Sequence, residues 1–318
     1  MSIISKDGFF FFESFNKPLS LILDKRIDKI IEYINVNKIK SLTIQPNLHD
    51  VLPKEKCQNY ILTDITETDF LEHIPNIIEI AFLEINNCNL SGLYHLKKLR
   101  SLTIANAVNN PSTNLRVDFS KFDKLEELYI DWFDRNFDIS HNQKLSTVSI
   151  HKYCPQSFDF SELRLPKNIR NIEIVQSNIH NFNGLKGNFI ERLELYYCNK
   201  LESLKGIRYI SDKMRRLMIE NAKHLTEYEE IIYCKNLESV VLVNCGNIDT
   251  LSWVKYLEKI NHFVLEKTTV NDGNMNYLLS IDKVAYTNKK HYNCKCYRSK
   301  RDDWSYSISP ICESSKDS

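Results

Sequence analysis

One six-residue pattern recurs along this chain: apolar, two residues of any kind, apolar, one of any kind, apolar. It reads IAFLEI from Ile80, LRSLTI from Leu99, LEELYI from Leu125, LSTVSI from Leu145 and IRNIEI from Ile169. It continues as IERLEL from Ile190, MRRLMI from Met214, LESVVL from Leu237 and INHFVL from Ile260. Weaker copies are IKSLTI from Ile39, CQNYIL from Cys57 and IDKVAY from Ile281. The last apolar residue of each falls at 44, 62, 85, 104, 130, 150, 174, 195, 219, 242, 265 and 286, a mean step of about 22 residues. Within each copy the last two apolar residues are two apart, the period of a strand, so both point to one side. A single short strand cannot bury that side alone. The copies must therefore stack, strand beside strand, into one parallel sheet over a shared core.

Three residues after the strand stands a small side chain: Cys88, Ala107, Ser177, Cys198, Ala222, Cys245 and Thr268. An apolar residue follows shortly after, as at Leu90, Ile179, Leu201, Leu225, Ile248 and Val270. On these residues the chain resembles the leucine-rich repeat family over about residues 39–288, and NIHNFNGL and CNKLESLKGI look most like the short bacterial, internalin-like variety. The resemblance implies an α/β leucine-rich repeat solenoid of about 12 repeats. A curved parallel sheet would form the concave side. Helical or irregular return segments, such as SGLYHLKK, GLKGNF, YEEIIYCK and DTLSWVKY, would form the convex side. Ladder asparagines are few and the steps uneven, which predicts a less regular arc than the family pattern.

A solenoid needs its ends covered, and residues 1–38 and 289–318 lack the repeat. FFFFESFNKPLSLIL predicts one or two strands. DKRIDKIIEYI predicts a helix, with Ile27, Ile30, Ile31 and Ile34 at helical spacing and Asp24 as N-cap. These segments are expected to act as N- and C-terminal caps, the chain fraying from about Ser309.

The residues between the core positions face the open, concave side. There the middle repeats bring together Tyr129, Asp131, Trp132, His151, Glu173, Glu194, Tyr196, Tyr197, Met218 and Glu220, flanked by Arg192 and Arg216. Tyr, Trp, Met and Arg are the residue types of protein-interface hot spots. The acidic members point to a basic partner. The expected function is therefore a non-enzymatic protein-binding module working through its concave face. The alternative is the recognition domain of an effector or enzyme whose catalytic part lies on a partner chain.

Other chemistry is poorly represented. The sequence has no phosphate-binding glycine loop, no G-x-S-x-G and no H-E-x-x-H. His291, Cys294, Cys296 and Cys312 fall near each other, but C-x-C alone lacks half of a zinc site, so a capping segment is the expectation and no metal or cofactor. Cys154 near His151 reads as a loop cysteine. The formal charge of +1 argues against nucleic acid, and no apolar run reaches membrane-spanning length. The start lacks the features of a signal peptide, and nine cysteines, an odd number, suit reduced thiols. The expected location is cytoplasmic.

Overall fold

The computed structural model describes residues 2–6, 9–14, 17–21, 27–44, 67–83, 85, 88–105, 116–132, 137–186, 189–298 and 306–310. The chain divides into two compact units, residues 1–151 and 152–318.

The first unit opens with three antiparallel strands, β1 (Ser2–Lys6), β2 (Phe9–Ser14) and β3 (Lys17–Leu21). Helix α1 (Ile27–Val36) follows and buries Ile34; Asp24, the expected N-cap, lies outside the described residues. Then come β4 (Ser41–Ile44), β5 (Glu79–Leu83), β6 (Ser101–Ala105), β7 (Glu127–Asp131) and β8 (Thr147–His151). These five pair in chain order, all parallel.

The second unit contains β9 (Asn171–Val175), β10 (Arg192–Tyr196), β11 (Arg216–Glu220), β12 (Ser239–Val243), β13 (His262–Glu266) and β14 (Lys283–Tyr286). These six are again parallel and in chain order. An antiparallel pair, β15 (Cys294–Arg298) and β16 (Tyr306–Pro310), closes it. Ser309, where fraying was expected to begin, pairs with Lys295 inside that hairpin.

The repeat pattern becomes core directly. Leu193 and Leu195 lie opposite Leu217 and Ile219 on one side and Ile172 and Ile174 on the other, and all six are buried. The backbone ties each repeat to the next in the same way. In most repeats one carbonyl before the strand accepts two successive N–H groups of the following repeat. Glu191 O takes Arg215 N at 2.8 Å and Arg216 N at 3.0 Å; Arg215 O takes Glu238 N at 2.8 Å and Ser239 N at 3.0 Å.

Many of the return segments contain 3₁₀ turns and the others are irregular, and the sequence explains the 3₁₀ turns. Apolar residues recur every third position, as in Leu93, Leu96, Leu99 and again Ile231, Cys234, Leu237, all buried. Three residues per turn places them on one side. Their amides follow the same period, Cys234 N donating to Ile231 O and Leu237 N to Cys234 O.

Two expectations require correction. The copy placed at Ile80 is slipped by three residues: Ile80 and Phe82 pair with Leu102 and Ile104, and Ile77 precedes them. Ile85 thus takes the small-residue position, and Cys88 is not equivalent to Cys198 and Cys245. The outward residues of this repeat are Ala81 and Leu83 in place of Glu84 and Asn86, which lie outside the described residues. The copy at Cys57 also lies outside them, and direct pairing of β4 with β5 leaves no strand between the two.

Strands β8 to β13 are each followed by a residue in the left-handed region: Lys152, Gln176, Tyr197, Asn221, Asn244 and Lys267 have φ between 51° and 59°. Several of their amides extend the ladder beyond the strand, Gln176 N reaching Tyr196 O at 2.8 Å and Tyr197 N reaching Glu220 O at 2.9 Å. Left-handed backbone costs an L-residue about 1–2 kcal/mol, most when the side chain is β-branched. Gln176→Gly should hold or raise stability, by up to about 1 kcal/mol, while Gln176→Val lowers it. Leu195→Ala should cost about 2–5 kcal/mol. Urea unfolding of the three variants measures all of these effects.

Candidate functional site

On β10 the alternation turns Arg192, Glu194 and Tyr196 outward while Leu193 and Leu195 enter the core. Register places Arg216 beside Arg192, Glu173 and Met218 on either side of Glu194, and Glu220 beside Tyr196. These side chains form one network centred on Glu194. Arg192 Nε donates to Glu194 Oε1 at 2.7 Å, and Arg216 Nε donates to the same oxygen at 2.8 Å. The Tyr196 hydroxyl donates to Oε2 at 3.1 Å and lies 3.3 Å from Met218 Sδ.

Glu194 is only 8% exposed. Burial alone would raise its pKa, but the hydrogen bonds from Arg192 and Arg216 outweigh that and hold it below the ordinary carboxylate range. Tyr196 is pushed up to about 12, first by burial and then by the neighbouring Glu194 charge. An acid held by two guanidinium groups is already compensated. It holds Arg192, Arg216 and Tyr196 in place.

The other expected residues sort by unit. In the first, Asp131 is buried opposite His151 on β8. Trp132 packs on Phe137 with ring centroids 5.3 Å apart, and its amide donates to His151 O. Tyr129 stands between Thr103 and Ser149, its hydroxyl 3.5 Å from Glu127 Oε2. In the second, Glu220 accepts from Asn221 Nδ2 at 3.1 Å. Tyr197 is 49% exposed on its left-handed backbone.

Sequence reasoning named Met218 but passed over the outward row that continues from it. Met218, Val241, Val264 and Ala285 lie side by side on β11 to β14. The signal was present: apolar residues at one outward position in four successive copies, where a solvated sheet carries polar ones. Above this row on the same face His262 Nδ1 lies 2.8 Å from Ser239 Oγ. Burial, then Arg216 and Lys283, lower its pKa, which favours the neutral ring.

The thiols are poorly suited to nucleophilic chemistry. Burial pushes Cys88, Cys198 and Cys234 up to about 12 and Cys245 to about 11. Cys245 Sγ instead donates to Ile219 O at 3.3 Å and to Val243 O at 3.5 Å. Cys294 and Cys296 are buried, contacting Asn276 Oδ1 and Val284 O, and His291 Nε2 lies 2.8 Å from Val270 O. Among the described residues no group of three or more His, Cys, Asp or Glu is placed to hold a metal ion; Cys312 lies outside them. No helix there is long and apolar enough to cross a membrane. A cleft of about 390 Å³ beside α1 is lined by Ile34, Ile39, Ile74 and Ile78, with Lys38, Lys40, Lys98 and two asparagines, and offers no acid–base pair.

No protein-family profile and no curated protein matches the chain. Solved structures similar to it include a functional domain of InlJ from Listeria monocytogenes, described as including a cysteine ladder. That match has 13% identity and a TM-score of 0.45, covering 83% of this chain and 62% of that one. Another is the leucine-rich repeat domain of the type III effector XopL, with 14% identity and a TM-score of 0.39, covering 78% and 76%. A third is the leucine-rich repeat protein LIC12759 of Leptospira interrogans, with 13% identity and a TM-score of 0.29, covering 84% and 83%. The chain spans less than two thirds of the InlJ domain. On its own registers and return turns, this protein has a leucine-rich repeat fold.

Two measurements check the site. Glu194→Gln should destabilise by about 1–3 kcal/mol at neutral pH, since it weakens charge-assisted bonds at a buried carboxyl. The ionised pair contributes fully above the ordinary carboxylate value of about 4.3. The contribution is lost as pH falls through the lower folded-state value, so wild type and variant should converge in acid unfolding curves. Thiol labelling followed by peptide mapping should modify exposed Cys154 first, and Cys88, Cys198, Cys234 and Cys245 only on unfolding.

Proposed function

We propose that this protein is a non-enzymatic interaction module that binds a partner protein on the open face of its sheet, the concave side of a leucine-rich repeat fold. Residues 1–38 and 289–318 serve as its caps. The observation that carries the proposal is the Glu194 network. It holds two arginines, a tyrosine and a methionine in fixed positions on an outward face, next to half-exposed Tyr197. Rigid Tyr and Arg side chains lose little entropy when a partner covers them.

The fixed charges shape the partner's chemistry. Arg192 and Arg216 offset Glu194, while Glu173 and Glu220 stand beside them, so the face offers both signs of charge. Basic groups of a partner would meet Glu173 and Glu220, and an acceptor or aromatic group would meet Arg192 and Tyr196. The protein's context as a cytoplasmic bacterial module belongs to the same proposal and rests on the sequence alone.

The test compares wild type with a Trp132→Ala, Tyr196→Ala, Tyr197→Ala variant in affinity capture from native cell extract, the folds checked by circular dichroism. A partner held by wild type and lost by the variant is the expected outcome. Equal capture by both would end the open-face reading.

A further inference from the structure

The return turns of the second unit carry a feature the open face does not use. Tyr209, Tyr233 and Tyr256 stand at one equivalent position, each two residues after a buried residue of its turn, namely Ile207, Ile231 and Val254. They are 65%, 43% and 48% exposed. A tyrosine in three successive turns, pointing away from the core, is surface that core packing does not require.

Cations sit against these rings. Arg208 lies over Tyr233 at 4.8 Å, but Glu230 Oε1 neutralises it at 2.9 Å. The next ring differs. Lys255 Nζ stands 4.9 Å and Lys235 Nζ 5.7 Å from the Tyr256 centroid, and Lys235 Nζ also reaches Tyr256 O at 3.5 Å. Among the described residues neither ammonium has a carboxylate within 4.0 Å. Two like charges brought to one ring without an anion leave a positive focus at one end of an aromatic stripe.

We propose that these turns form a second interaction surface, independent of the open face, which takes an acidic polypeptide segment. A carboxylate of that segment seats between Lys235 and Lys255, and its apolar side chains lie across Tyr233, Tyr256 and Tyr209. Charge complementarity selects this occupant. A nucleic-acid strand is the competing occupant, and the test separates the two.

The probe is a fluorescein-labelled synthetic peptide alternating Glu and Leu, titrated by anisotropy. Its Gln-for-Glu counterpart and a labelled single-stranded oligonucleotide are the comparisons. The Glu peptide should bind wild type, and binding should weaken with added salt. The Gln peptide should bind about tenfold or more weakly. Lys235→Gln with Lys255→Gln should cause a similar loss, as should Tyr233→Ala with Tyr256→Ala. The Tyr196→Ala, Tyr197→Ala pair should bind as wild type does, which separates this surface from the open face. Urea midpoints establish that the variants are folded. Absence of binding to wild type, equal binding of the Gln peptide, insensitivity to the lysine pair, or tighter binding of the oligonucleotide would each overturn the proposal.

Discussion

Each repeat is joined to the next by backbone hydrogen bonds that begin one residue before the strand and end one residue after it. In the second unit the last of these is made by a residue with a left-handed backbone. At Gln176, Tyr197, Asn221 and Asn244 the chain turns away from the sheet while the amide still reaches the neighbouring repeat. The turn then directs the small residue, Ser177, Cys198, Ala222 or Cys245, into the interior, where all four are buried. Ser177 Oγ donates to Tyr153 O of the preceding repeat at 2.5 Å. The Cys245 amide donates to Thr268 Oγ1 of the following one at 3.0 Å. Buried polar groups at this bend are thus paired across repeats, which keeps the stack in register.

The same register sets the electrostatics of the outward face. Parallel pairing brings Arg192 beside Arg216 and places Glu194 within reach of both. Two adjacent arginines would repel, and a carboxylate so deeply buried would be costly without partners. Each defect offsets the other. The result is a face fixed by its own charges, with an apolar row continuing over Val241, Val264 and Ala285. The return turns make a different surface from the same spacing, because one tyrosine per turn becomes a stripe when the turns stack.

Much of this was legible in the sequence, and the exceptions have physical causes. Apolar spacing located the strands β4 and β6 to β14, since only core positions repeat so regularly. It misjudged β5, because IIEIAFLEI satisfies the pattern in two frames, Ile77–Ile80–Phe82 and Ile80–Leu83–Ile85. Only cross-strand pairing with Leu102 and Ile104 separates the frames. The segment FFFFESFNKPLSLIL holds two strands, β2 and β3, within the one or two expected, and β1 precedes it at Ser2–Lys6.

The candidate site was legible as a set of positions but not as a set of charges. Composition marked Asp131 and Glu194 as acids on an outward face; the structure buries both and pairs Glu194. The sequence by itself determined that copies of one strand-and-turn unit must stack, because a strand with one apolar side has no other way to bury it. The tertiary structure alone decided which neighbours meet across the stack. Side-chain partners from adjacent repeats are some twenty residues apart in the chain, and their approach depends on register and reach, which no local pattern contains.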